Sequence, residues 1–247
     1  MSEFEPSIIP GKRIVIEGND GTGKTTTADM LAWQVGKNGY RYIRVDEPNS
    51  PIDDEGTVLL PRIAQLRELD IKNGSYAHNP HADLAMFNVA RYVSWTHVTK
   101  PKLAEGWWDF QGRDDTSSGA YQGSGDGLGI QYVKERTREV MNDEAYFHPD
   151  FRTILVFKNE IERLKRLESR GAPELPDTFE KRGPEFQARV NDGYLMSALE
   201  YGIDITEIEA GQPKEEVADI VFEKMVGAVG INLVKYDWEE YRESNAA

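Results

Sequence analysis

Residues 18–25 combine residue types and spacing that suit phosphate binding. They read Gly-Asn-Asp-Gly-Thr-Gly-Lys-Thr, which fits G-x-x-x-x-G-K-[ST], between an apolar run at 14–16 and a helix-forming stretch. Glycines allow several backbone N–H groups to point at one phosphate, the lysine reaches its oxygens, and the last threonine can ligate Mg²⁺. The segment therefore predicts a nucleotide site rather than a chance glycine-rich turn. It does not define the reaction, because several enzyme classes use such a loop.

The predicted ligand is ATP with Mg²⁺, and Thr25 is the predicted metal ligand. The nucleotide-binding residues predicted from the motif are Gly18, Asn19, Asp20, Gly21, Thr22, Gly23, Lys24, Thr25 and Thr26.

A second group of residues suits a flat base. Phe87 and Arg91 are four residues apart on a predicted helix, so a ring and a planar guanidinium share one face. The spacing alone favours the alternative, a core Phe beside a surface Arg. Ser118 and Gln122 share a face if their segment is helical, and there they offer hydrogen bonds to a base edge or a ribose.

Three arginines form a third candidate group. Arg163, Arg166 and Arg170 follow one stripe of a predicted helix, where they can clamp phosphates. Composition alone favours the alternative, a solvated face on which glutamates pair with these arginines.

The elements that must position these residues alternate along the chain. Short apolar runs and amphipathic stretches predict an α/β fold, a doubly wound parallel sheet of five strands covered by helices on both faces. The strands are predicted at 13–17, 41–45, 107–111, 153–157 and 203–208. The helices are predicted at 25–38, 80–105, 129–142, 159–170, 179–200 and 214–229. With 247 residues, the chain is expected to form one domain.

Composition excludes several classes of function. The net charge is −14, so a nucleic-acid site on a basic face is not expected, and a phosphate site must be a local basic pocket. The absence of cysteine excludes disulfides and thiolate chemistry. No apolar run approaches the length of a membrane span and residues 1–12 lack a secretory apolar segment, so we expect a cytoplasmic protein without membrane partners. Aromatic residues at 236, 238 and 241 are expected to pack on the body of the protein.

Further segments match a known family. Residues 16–26, Ile-Glu-Gly-Asn-Asp-Gly-Thr-Gly-Lys-Thr-Thr, resemble the opening of thymidylate kinases. The other matching segments, in the family's order and approximate spacing, are Met-Phe-Asn-Val-Ala-Arg at 86–91, Arg113, Ser-Ser-Gly-Ala-Tyr-Gln-Gly at 117–123, Arg-Gly at 170–171 and Phe-Gln-Ala-Arg-Val-Asn-Asp-Gly-Tyr-Leu at 186–195. The resemblance spans residues 13 to about 229, and residues 120–123 are its most specific part.

The resemblance implies a P-loop NTPase fold in one nucleoside monophosphate kinase domain over 1–247. It implies a lid at about 171–179, a C-terminal extension at about 230–247 and a homodimer. The implied reaction is transfer of a phosphoryl group from ATP, with Mg²⁺, to a deoxynucleoside monophosphate, most readily dTMP.

The resemblance also assigns roles to residues. It implies that Phe87 stacks on thymine, that Arg91 reads a thymine carbonyl, and that Tyr121 crowds a ribose 2′-hydroxyl, with a half-buried packing tyrosine as the alternative. Asp20 would contact the acceptor's 3′-hydroxyl or a magnesium-bound water, and Arg113 would hold the acceptor phosphate. The implied catalytic residues are Lys24, Arg113, Arg166 and Arg170. The implied acceptor-binding residues are Asp20, Glu47, Pro48, Phe87, Arg91, Arg113, Ser117, Ser118, Tyr121 and Gln122.

The chain departs from the family's pattern at three positions. Gly112 stands where the family has Asp, Asp46 where it has Arg, and Thr178 where it has a lid Arg. The candidates to supply the missing carboxylate are Asp109, Asp114 and Asp115. The candidates to supply the missing cation after the second strand are Arg44 and Arg62.

Two alternative functions remain open, and the three departures favour the second of them. A deoxynucleoside kinase acts on a neutral hydroxyl and needs a carboxylate base, for which Glu47 is the candidate. A non-catalytic nucleotide-binding protein would bind ATP without transfer to any acceptor.

Overall fold

The computed structural model describes residues 10–46, 79–169 and 182–244. Five strands form one sheet in the order β2-β3-β1-β4-β5, and all four neighbouring pairs are parallel. The strands are β1 Arg13–Gly18, β2 Tyr42–Val45, β3 Trp108–Gln111, β4 Phe151–Phe157 and β5 Asp204–Ile208. This confirms the predicted α/β class and the five-stranded parallel sheet.

The helices alternate with the strands. They are α1 Lys24–Lys37, α2 Pro80–Ser94, α3 Lys100–Ala104, α4 Asp115–Ser118, α5 Ile130–Met141, α6 Glu160–Ser169, α7 Pro184–Tyr201, α8 Lys214–Val229 and α9 Trp238–Ser244. Local signals explain several ends: Asn79 caps α2 by accepting hydrogen bonds from the N–H groups of His81 and Ala82, and Gly202 ends α7 in the left-handed conformation. Among the described residues, no helix is long and apolar enough to cross a lipid bilayer.

Alternate residues of β4 face two different cores. Leu155 and Phe157 pack in the core that includes residues of α1 and α8, whereas Ile154 packs in a second core with residues of α7. Because successive side chains of a strand point to opposite faces, the sheet is covered by helices on both sides. Because β1 is the central strand, the phosphate-binding loop that follows it lies at the middle of a sheet that is buried on both faces.

Three segments differ from the sequence prediction. A π-helical stretch at Trp95–Thr99 interrupts the helix predicted over 80–105, and α4 continues into a second π-helical stretch at Gly119–Gly125. The latter segment was predicted only conditionally as a helix, because its glycines give little helical signal. The helix α9 was not predicted at all. Its seven residues are short, and their position depends on contacts with distant elements.

The C-terminal extension packs on the outer side of α1. Trp238 and Tyr241 lie against the Trp33 ring, with centroids 6.1 and 5.5 Å away. The Gln34 side chain forms two hydrogen bonds with the backbone of Tyr236, donating over 2.7 Å and accepting over 2.8 Å. The expectation that these aromatic residues pack on the body of the protein is confirmed.

We expect Trp238→Ala to lower the free energy of unfolding by about 3 kcal/mol, because it removes a buried indole from the contact with α1. Urea denaturation measures the effect. The neighbouring exposed residue provides the control, and Glu239→Ala should change stability by no more than about 0.5 kcal/mol. A loss below about 1 kcal/mol for Trp238→Ala would contradict a stabilising role for the extension.

Candidate active site

The phosphate-binding loop turns sharply between β1 and α1. Gly18, Gly21 and Gly23 have φ values of 138°, 86° and 93°, which favour glycine. A Cβ at Gly21 would lie 2.9 Å from Leu167 Cγ of α6, whereas a Cβ at Gly23 would meet nothing within 4 Å. Gly23 also provides no side-chain cap for α1. The loop therefore presents the N-terminal amides of α1 next to open space, as a phosphate site requires.

Lys24 brings a buried positive charge to this loop. Its Nζ donates a hydrogen bond to the backbone oxygen of Asn19 over 3.0 Å and lies 3.6 Å from Asp20 Oδ1. Burial, and then the charge of Arg113, lower the pKa of Lys24 to about 8. Glycine backbone, uncapped amides and a buried ammonium together fit the polyphosphate of a nucleotide.

Thr25 follows with an exposed side chain. Within the described part of the chain, no group of three or more His, Asp or Glu side chains could hold a metal ion. The exposed Thr25 hydroxyl, at the first turn of α1, is the side chain that the sequence predicts as a Mg²⁺ ligand.

Asp20 lies at the centre of the loop's contacts. Its carboxylate forms an ion pair with Arg113 and accepts a hydrogen bond from the Tyr121 hydroxyl over 2.8 Å. Burial alone would raise the pKa of Asp20, but the charges of Arg113 and Lys24 lower it below the ordinary value. Arg163 donates to the backbone oxygen of the same residue over 2.6 Å. The loop is thus tied to the segment after β3 and to α6.

Arg113 has an unusual backbone. Its φ is 127°, a value that side chains other than glycine rarely adopt, so the conformation is strained. The guanidinium reaches Asp20 and lies over the Tyr121 ring, 5.3 Å from the centroid. Such strain persists only where the surroundings fix the backbone on both sides.

Glu17 fixes the backbone that follows Arg113. This fully buried residue of β1 accepts the Asp114 N–H over 2.6 Å and the Ser117 N–H over 3.1 Å, both at Oε1. Its Oε2 accepts from the Ser117 hydroxyl over 2.7 Å and from Tyr194 over 3.4 Å. Glu17 is not among the site residues predicted from the sequence. An acid directly after the apolar run 14–16 was the available signal, because buried acids are rare.

Arg91 is buried, which excludes the alternative of a surface arginine. Its guanidinium donates to Asn88 Oδ1 over 2.8 Å, to the Asp114 backbone oxygen over 3.0 Å and to the Ser118 hydroxyl over 3.2 Å. Phe87, one turn earlier on α2, is half-buried. The structure thus brings the predicted base-binding residues of α2 and α4 together.

The remaining predicted acceptor residues have different surroundings. The Ser117 hydroxyl is engaged with Glu17 and lies 2.9 Å from the Tyr194 hydroxyl. Gln122 is buried, and its side-chain nitrogen has no hydrogen-bond partner among the described residues. A buried amide that lacks a partner can donate to a bound ligand. Tyr121 is buried with its hydroxyl on the phosphate-binding loop.

Arg163 and Arg166, two of the arginines predicted to form one stripe of α6, have different surroundings. Arg163 is buried and pairs with Glu160, with Nε 2.9 Å from Oε2, and its side chain holds the loop backbone. Arg166 lies over the Phe157 ring, 5.8 Å from the centroid. Arg170 lies outside the described residues, as do Glu47, Pro48, Arg62, Thr178 and the predicted lid. The glutamate pairing that composition favoured is present at Arg163, but the solvated position is not, because Arg163 is buried.

The two departures at the ends of β2 and β3 are in contact. A Cβ at Gly112 would lie 2.7 Å from Asp46 Oδ1. Asp46 also lies 3.1 Å from Arg44, whose Nε donates to Asp29 over 2.7 Å. The cation proposed to compensate for the exchange at position 46 is therefore already paired with two carboxylates.

The three carboxylates proposed to replace the one missing at Gly112 are engaged elsewhere. Asp109 pairs in register with Arg13, near the start of β1, and accepts from Thr99 over 3.3 Å. Asp114 caps α4 and lies 2.6 Å from Arg152, and Asp115 lies 3.5 Å from the same guanidinium. Asp46, in contrast to these three residues, has its carboxylate next to Gly112, close to where a Cβ at position 112 would lie.

The family described as Thymidylate kinase has a model that matches residues 16–221 of this chain. The match covers most of the 247 residues. It includes the phosphate-binding loop, α2 with Arg91, the segment from Arg113 to Gln122, and α6.

We expect the titration of Glu17 to make stability depend on pH. Burial, and then the neighbouring Asp114 carboxylate, raise its pKa from 4.5 to about 8. A raised pKa in the folded state means that the associated stability is fully present below about pH 4.5 and is lost as the pH rises to about 8. Glu17→Gln removes this titration. The free energy of unfolding of the wild type, relative to the variant, should therefore fall between these pH values and level off above them. Urea denaturation over a pH series measures it, and parallel profiles would contradict it.

Proposed function

The chain belongs to the thymidylate kinase family and is a phosphotransferase, and we propose that it transfers the γ-phosphoryl group of ATP to dTMP. The observation that carries the proposal is the contact between Arg113 and Asp20. It sets a second cation, from the end of β3, beside the loop that suits the donor's phosphates. Two cations from different elements at one point are what two anionic nucleotides need when they meet end to end.

The phosphate-binding loop would hold ATP. The amides at the start of α1 and the Lys24 ammonium bind its β- and γ-phosphates, and the Thr25 hydroxyl ligates Mg²⁺ together with them. The bound ion supplies charge neutralisation on the phosphate oxygens. Lys24 stabilises the charge that spreads over the transferring group, with Arg166 and Arg170 in the same proposed role.

The acceptor would lie between α2, α4 and the phosphate-binding loop. Phe87 stacks on the base, and Arg91 with Ser118 and Gln122 hydrogen-bonds its edge. Arg113 holds the acceptor phosphate, and Tyr121 favours a deoxyribose by its bulk. No general base is needed, because the attacking phosphate oxygen is already an anion. The protein's contribution is thus positioning and charge, the main requirements of phosphoryl transfer. Asp20, Glu47, Pro48 and Ser117 complete the proposed acceptor site.

We further propose that the chain is a cytoplasmic homodimer without nucleic-acid or membrane partners. The cysteine-free composition fits a reducing compartment, because the fold uses no disulfide. Three large apolar residues of α7 are exposed, and Leu199, with 86% of its surface accessible, is the most exposed of them; the others are Leu195 and Met196. Such residues suit a helix-to-helix contact with a second copy.

A coupled assay of ADP release tests the function directly. With ATP and Mg²⁺, we expect dTMP or dUMP to be the best acceptor among the common nucleosides and nucleoside monophosphates. Lys24→Ala should lower turnover by about 100-fold or more, because it removes the buried cation of the loop. Lys37→Ala removes an exposed lysine from the same helix and is the matched control.

The outcomes of this assay separate the alternatives. Higher turnover with nucleosides than with monophosphates would favour a deoxynucleoside kinase. ATP binding without transfer to any acceptor would favour a nucleotide-binding protein that lacks catalysis.

The role of Arg91 generates a separate prediction. Arg91→Ala should weaken dTMP binding by about tenfold or more, because it removes the donor fork at the base, and should change ATP affinity by less than about twofold. Isothermal titration with each nucleotide measures both affinities. Arg136→Ala, at an exposed arginine, is the control for loss of charge. Equal losses of both affinities would argue against base recognition by Arg91.

A further inference from the structure

Glu17 links the two parts of the site through the backbone. It lies on β1, directly before the phosphate-binding loop, and its Oε1 accepts N–H groups from Asp114 and Ser117 at the start of α4. The first of these residues directly follows Arg113. A single carboxyl oxygen therefore holds the backbone of α4 at a fixed distance from the loop.

The backbone at Arg113 requires such support. Its φ of 127° is strained, and its neighbours are held on both sides: Gly112 N–H donates to the Val45 oxygen over 3.4 Å, and Asp114 N–H donates to Glu17. The first contact is long and the second is short. Of these two contacts, the one to Glu17 is therefore the stronger restraint on the backbone at Arg113. Arg91 adds a hydrogen bond to the Asp114 backbone oxygen over 3.0 Å.

We propose that Glu17 is a positioning residue for phosphoryl transfer, which keeps Arg113 aimed at the phosphate-binding loop by binding the backbone of Asp114 and Ser117. This inference rests on the proposed function. Glu17 acts through Arg113 and does not touch either nucleotide.

The identity of the residue supports a role beyond packing. The preceding residues of β1, Ile14 to Ile16, are apolar and fully buried, and an acid in this environment is costly to bury. Burial raises its pKa to about 8, so the negative charge is disfavoured at this position. An apolar side chain would fill the space at lower cost but could not accept the two N–H groups.

Three substitutions separate length, charge and hydrogen bonding. Glu17→Gln keeps the length and an oxygen that can accept both N–H groups, while its amide nitrogen can donate to the oxygens of Ser117 and Tyr194. Glu17→Asp keeps the acid but is one methylene shorter, so it cannot span the gap. Glu17→Ala keeps neither. Tyr194→Phe is the matched control, since it removes one hydroxyl from the same buried network and leaves the backbone contacts intact.

The kinetic test compares KM and kcat. We expect Glu17→Ala and Glu17→Asp to raise the KM for dTMP and to lower kcat, each by about tenfold or more, because a displaced positioning group is costly. The affinity for ATP should change by less than about threefold, and Glu17→Gln and Tyr194→Phe should stay within about threefold of the wild type throughout. If Glu17→Ala does not fold, Glu17→Asp provides the decisive comparison.

Hydrogen exchange gives a second readout without turnover. Exchange of the peptide 112–118 should increase in Glu17→Asp and in Glu17→Ala, but not in Glu17→Gln. Unchanged kinetics in folded Glu17→Asp, an equal loss of ATP affinity, or a Gln variant as impaired as the Ala variant would each overturn the proposal. If the wild type phosphorylates no monophosphate, the proposed function fails, and this appears in the wild-type sample before any variant is compared.

Discussion

The ion pair between Arg113 and Asp20 joins the phosphate-binding loop to the segment after β3, and the arrangement of the site depends on it. A half-buried carboxylate needs close partners, and Asp20 has Arg113, Lys24 and the Tyr121 hydroxyl. Because the same carboxylate contacts both cations, it keeps them next to each other before any phosphate is bound. In a chain of net charge −14, a pocket that attracts phosphates has to be built from such closely held cations.

The backbone at or next to each partner of this ion pair is held by another buried side chain. Arg163 of α6 donates to the backbone oxygen of Asp20 and is itself paired with Glu160, so α6 holds the loop. Glu17 holds the backbone after Arg113. Both supports use buried charged or acidic side chains, which are expensive unless fully hydrogen-bonded. Their cost is consistent with the proposed role of these side chains in holding the two cations in place.

The sequence predicted the parts of the fold that local pattern controls. The loop 18–25 and the five strands follow from apolar runs and glycine spacing, and the structure confirms them. The roles of Glu17 and α9, and the contact by which Arg163 holds the loop, could not be predicted in this way, because they depend on residues more than 90 positions away, such as Asp114, Trp33 and Asp20. Spacing identified Arg91 but favoured a surface position for it. Its burial depends on contacts with α4, which sequence periodicity does not describe.

The residues at positions 46 and 112 show the same dependence on contacts between segments that are far apart in the sequence. Taken separately, Asp46 and Gly112 are two losses relative to the family pattern, one of a cation and one of a carboxylate. In the structure they form one arrangement, since Asp46 Oδ1 lies 2.7 Å from the place where a side chain at 112 would begin. Any larger residue at 112 would have to displace the Asp46 carboxylate, and an aspartate there would add a like charge. Asp46 thus places a carboxylate next to Gly112, where the adjacent strands β2 and β3 end. Because the two positions are in contact, the effects of substitutions at 46 and 112 are not expected to add, and a substitution at both positions tests more than one at either alone.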